Sequence, residues 1–182
     1  MLLRLSRGST SEIEGEREPD RLRRSVYDAV IRKLHGTASA DVPAPLDECF
    51  AVLEAVDQYP AWYPEVVRDA EVLGRGPGGQ PNRVRAKLHV KRGPVAKDFD
   101  LVLAVESDRP GTVKLSRVAN DRSEQRFDVT WRLRDGVATH IELDLYAELR
   151  VSRFVPLGGI GNSIAKGFIT AAGKAVASRS GL

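Results

Sequence analysis

The chain has 182 residues, of which 42% are apolar and 29% charged, with a formal net charge of +3. That length holds one domain with a sizeable core and is too short for two ordinary ones, and the balance is that of a globular protein in water. A mild positive charge does not by itself indicate nucleic acid. No stretch approaches the roughly 20 apolar residues of a membrane-spanning helix, and Met1–Arg7 lacks the apolar run of a signal peptide. Cys49 is the single cysteine, so it forms no internal disulfide, which points to a reducing, cytoplasmic setting.

In chain order, residues 1–32 open with Ser, Gly and a run of charges, Glu12 to Glu18. So few apolar groups cannot offset ordering entropy, and the spacing predicts a mobile tail or lead-in. The ordered domain is expected over residues 33–180. A strand is predicted from Lys33 to Val42, then a short helix beginning at Ala44-Pro45. Leu46, Cys49, Phe50 and Leu53 lie at helical spacing there, and proline suits a first turn that needs no N–H. Asp57-Gln58-Tyr59-Pro60-Ala61-Trp62-Tyr63-Pro64 follows, and its two prolines confine Tyr59 and Trp62 to a tight turn or a one-turn helix. Strands are predicted over Val66–Leu73, Arg83–Lys91, Asp98–Glu106, Thr112–Val118, Gln125–Arg134 and Thr139–Leu149, with Gly74–Asn82 a loop on its turn chemistry. Ile160, Ile164, Phe168, Ala172 and Val176 recur at helical spacing, predicting a covering helix from Gly161 to about Ser178.

This order of elements, with its Asp-x-x-Tyr-Pro-x-Trp-x-Pro segment, resembles the START-like (SRPBCC) superfamily, nearest its polyketide cyclase/dehydrase and coenzyme-Q-binding groups. The resemblance implies an α+β helix-grip fold, a bent antiparallel sheet wrapped around a long C-terminal helix with an apolar ligand cavity between them.

Burial of one sheet face also constrains register. A three-residue loop, Arg134-Asp135-Gly136, with Gly136 at positive φ, would pair Leu133 with Val137, Val129 with Ile141 and Phe127 with Leu143. A three-residue loop at Asn120-Asp121-Arg122 would set Leu115 opposite Phe127 and Val113 opposite Val129.

The inward face is expected to be apolar throughout. Its candidate ligand-contacting residues are Ala86, Leu88, Phe99, Leu101, Leu103, Phe127, Val129, Trp131 and Ile141 from strands, with Ile164 and Phe168 from the helix. The resemblance adds Trp62 at one cavity end. The function expected is binding, transport or presentation of a hydrophobic small molecule such as a lipid, an isoprenoid quinone or a polycyclic aromatic. The alternatives are a polyketide aromatase/cyclase, with Tyr59, Tyr63, Tyr146 or Arg85 as acid/base groups, and a ribosome- or membrane-surface module. Peripheral membrane contact would use the basic end, where Arg150, Arg153, Lys166, Lys174 and Arg179 follow the last acidic residue, Glu148; the same cations also complement a helix dipole. His35, His89 and His140 lack metal-ligand spacing, so no metal or other cofactor is expected. Basic residues without interleaved aromatics argue against nucleic acid. Gly158, Gly159, Gly161, Gly167 and Gly173 mark either a loose loop with small helix positions or a helix able to approach or shift against the sheet.

Overall fold

Alternating side chains build seven antiparallel strands around one long helix. The structure, a computed structural model, describes residues 29–92, 95–119, 125–153 and 157–181. The elements are β1 (Ala29–Val42), α1 (Leu46–Glu54), a 3-10 turn (Val56–Gln58), α2 (Tyr59–Trp62), β2 (Val67–Arg75), β3 (Pro81–Arg92), β4 (Val95–Asp108), β5 (Thr112–Arg117), β6 (Phe127–Arg134), β7 (Thr139–Ser152) and α3 (Ile160–Ser180). The sheet order is β1-β7-β6-β5-β4-β3-β2. This is the helix-grip α+β architecture. β1 begins four residues earlier than expected, and most of the expected tail lies outside the described residues.

Local chemistry explains the short elements. Pro45 precedes α1 and its carbonyl accepts from the amides of Glu48 and Cys49, while Asp47 and Glu48 place negative charge in the first turn. Tyr63 leaves helical geometry at φ −137° and ψ 58° because Pro64 excludes the helical region for the residue before it.

Two registers differ from expectation by whole steps of two. β6 and β7 pair Leu133 with Ile141, Val129 with Leu145 and Phe127 with Ala147, and Gly136 is not at positive φ. β5 and β6 pair Leu115 with Val129 and Val113 with Trp131; residues 120–124 of the connection expected there lie outside the described residues. One-face burial fixes which face a side chain occupies, and a slide of two residues leaves every face unchanged. Tertiary anchors choose among the permitted slides. Thr139 pairs with Val42 of β1 and, 2% exposed, donates from Oγ1 to the Ala44 carbonyl at 2.7 Å. Thr139→Val is therefore expected to cost about 1–2 kcal/mol in urea unfolding; an unchanged midpoint would remove Thr139 as an anchor.

The buried line of α3 also departs from the expected stripe. Ile160, Gly161, Ala165, Ile169, Ala172 and Val176 are buried, whereas Ile164 and Phe168 are half-buried. The small side packs along β1. A Cβ on Gly36 would overlap the backbone of Gly161, and one on Gly161 would overlap the backbone of His35 and Gly36. Beside this contact, Asn162 Oδ1 accepts from the Thr37 amide at 3.1 Å. The helix thus approaches the sheet at a pair of glycines, one of the two readings its composition allowed.

Candidate functional site

Ile164 and Phe168 turn away from the tight seam toward space enclosed by the sheet. That space is an apolar cavity of about 50 Å³ bordered by Leu88, Phe99, Leu101, Phe127, Ile164 and Phe168, with Leu34, Val66, Val90, Leu145, Ala147 and Leu149. A second pocket of about 30 Å³ shares Leu88, Phe127 and Phe168 and adds Ala86, Leu103 and Val129, with Tyr59 among its other wall residues. Together they would hold several waters by volume, so an organic ligand requires wall side chains to move. Phe99, Phe127, Ile164 and Phe168 are half-buried, unlike the fully packed core around them.

An open cleft adjoins the larger cavity. Val66, Val90 and Ile164 border both, and Tyr63, Glu65, His89, Lys91 and Gly158–Ile160 form the rest of the cleft with Ser163. The His89 ring meets Asp98 at 2.6 Å on this rim.

Three expected ligand contacts stand outside both cavity walls. Trp131 is fully buried and Ile141 nearly so; Trp131 faces Val113 and Leu143 across the sheet. Trp62, the third, packs against Tyr59 with ring centroids 4.5 Å apart and planes tilted by 52°. Four aromatic rings gather around Phe168, with Tyr59, Trp62 and Trp131 each at 6.2 Å and Tyr63 at 4.6 Å. A Cβ on Gly167 would overlap the Tyr63 hydroxyl, so that glycine admits the tyrosine. The indole nitrogens of Trp62 and Trp131 are buried without a well-formed hydrogen bond, that of Trp131 lying beside the Tyr59 hydroxyl.

The inward face is not wholly apolar. β5 carries Val113, Leu115 and then Arg117 on one face, and Gln125 continues the inward row of Phe127; both Arg117 and Gln125 border the larger cavity. Extending the alternation two residues beyond each apolar run would have found them.

A family model for polyketide cyclase / dehydrase and lipid transport matches residues 42–171. The chain belongs to this family. No curated protein matches the sequence. Among solved structures, a START superfamily protein from Mycobacterium smegmatis is similar, with TM-score 0.65 and 14% identity over 80% of this chain and 98% of that one. So is a protein from Thermus thermophilus, TTHA0849, with TM-score 0.59 and 16% identity over 80% and 99%. The Zhui aromatase/cyclase from Streptomyces sp. R1128 has TM-score 0.51 and 18% identity over 83% and 96%. At these identities the likeness is one of fold.

Within this polyketide cyclase/dehydrase and lipid transport family member, the expected acid/base groups occupy unlike places. Arg85 lies on the outer face, paired with Asp100 at 2.6 Å, and Tyr146 lies there too, donating to Glu148 at 2.7 Å. Tyr59 borders the smaller pocket, but its hydroxyl donates to the Leu53 carbonyl at 2.6 Å. Burial raises its pKa far above the ordinary value, against a smaller opposing effect of Trp131. Tyr63 borders the cleft, its pKa raised by burial and then by Glu65. Burial likewise raises the Cys49 thiol, which disfavours a nucleophile. Among the described residues no three His, Cys, Asp or Glu side chains gather to hold a metal, and no helix is long and apolar enough to cross a membrane.

Proposed function

We propose that this protein binds a hydrophobic small molecule, of lipid, isoprenoid or polycyclic aromatic type, between α3 and the inward face of β3–β7, with no metal or nucleotide. One observation carries the reading. Apolar space opens at the seam where the bulky side of α3, Ile164 and Phe168, meets Leu88, Phe99 and Phe127, whereas the small side of the same helix is closed down to backbone contact. An ordinary core packs evenly to crystal-like density; movable aromatic side chains around apolar space are what a ligand displaces. The cleft past Val66 and Ile164 supplies a route from solvent. The family description and a reducing setting for the lone buried thiol fit this reading. Binding is favoured over cyclase chemistry because the Tyr59 hydroxyl is committed to a backbone carbonyl and the Arg85 and Tyr146 side chains face outward.

The test is a ligand panel of quinones, fatty acids and polycyclic aromatics, read by tryptophan fluorescence, together with native mass spectrometry of protein purified from its own host. Trp62 and Trp131 both lie 6.2 Å from Phe168, so a ligand that displaces that ring should change their emission. A co-purifying apolar species or a saturable signal is expected. No adduct and no binding across the panel would overturn the proposal.

A further inference from the structure

We propose that Arg117 is the polar end of the ligand site and selects amphipathic ligands that carry a carboxylate on a hydrophobic body. This rests on the binding reading above. Arg117 is the inward residue that follows Val113 and Leu115 on β5, opposite Leu103 of β4, and it is only half-buried. The cavity surface is almost wholly apolar, so the stem of Arg117 borders it and the guanidinium lies at its margin. Its guanidinium has five N–H donors. One of them reaches the Gln125 carbonyl, at 3.4 Å, near the limit of a hydrogen bond.

The contrast with the other arginines of the sheet is direct. Arg85, Arg132 and Arg134 are outward and paired with Asp100 or Glu142, and Arg32, Arg75, Arg83 and Arg150 are exposed to water, where a charge needs no partner. Arg126 and Glu148 also border the cavity, but Arg126 is exposed and paired with Asp128 and Glu148 accepts from Tyr146. Arg117, set against an apolar wall where an uncompensated charge costs most, has no carboxylate partner among the described residues. A planar guanidinium with parallel donors matches a carboxylate in bidentate fashion. The wall from Leu88 and Phe99 to Ile164 and Phe168 would hold the apolar body.

The experiment uses the full chain and two matched probe pairs, dodecanoic acid with dodecanol, and an anthracene carboxylic acid with its methyl ester. The expected result is that the native protein binds at least one acid about tenfold more tightly than its neutral counterpart. In Arg117→Gln that ratio should fall to near one, and Arg117→Lys should keep part of it by retaining charge without the fork. The ratio is read only from protein whose circular dichroism and melting are native-like, and Arg117→Lys serves as the second variant should Arg117→Gln fail to fold. Equal binding of acid and neutral probe by the native protein, or a ratio preserved in Arg117→Gln, overturns the inference and leaves the apolar site standing. If none of these probes or the wider apolar panel binds, the binding reading falls and this inference with it.

Discussion

Trp131→Ala should lose about 3–5 kcal/mol of stability, seen as a lower denaturant midpoint and a melting temperature lower by roughly 10 °C or more. The ring is fully buried, held between Val113 and Leu143 of the flanking strands and set edge-on to Phe168 at 6.2 Å. Deleting it leaves a void that two strands cannot close without moving. Trp131→Phe makes the argument sharper. It keeps most of the ring and removes an indole N–H whose approach to the Tyr59 hydroxyl falls short of a well-formed hydrogen bond, so its desolvation is poorly compensated. It should therefore cost far less than the alanine change. A loss below about 1 kcal/mol for Trp131→Ala would show that the site collapses freely.

Gly36→Val should be similarly severe, and its sign is the informative part. Glycine within a strand ordinarily weakens it, and valine is a strong strand former. Local preference alone therefore predicts a gain. The structure predicts a loss of about 3 kcal/mol, because any Cβ at Gly36 overlaps the Gly161 backbone rather than the end of a flexible side chain. Strand and helix would have to part, taking with them the hydrogen bond from the Thr37 amide to Asn162. Gly36→Ala should show a smaller loss of the same sign in chemical denaturation. A stabilised Gly36→Val protein would mean that the helix gives way at no cost.

Much of the fold is legible because periodicity is local. Inward Val84, Leu101, Val113, Val129 and Leu143 are all buried, and alternation alone assigns them. The slide of one strand past another is not local. Pairing Leu133 with Val137 or with Ile141 buries the same face, and what separates the two lies elsewhere, in Thr139 bound to β1 and to Ala44. The stripe on α3 misleads for a related reason. Ranking by hydrophobicity selects Ile164 and Phe168, yet the backbone approach is made at Gly161, which hydrophobic spacing cannot single out. Trp131 has the size and the face of a ligand contact; here it is fully buried and stands behind Phe168 rather than on either cavity wall. Arg117 was legible, since it falls in phase with Val113 and Leu115, but attention to apolar residues passes over it.

The two sides of α3 have an evolutionary consequence. On the glycine side an added atom is opposed by backbone, so substitutions there are tied to folding itself. On the other side, the wall includes the half-buried Phe99, Phe127 and Ile164, which can be exchanged for others without disturbing the contact that seats the helix. Changes in cavity shape and in ligand choice are thereby uncoupled from the risk of unfolding. A lineage could trade Phe99 or Phe127 for smaller or more polar residues while the helix keeps its place on β1.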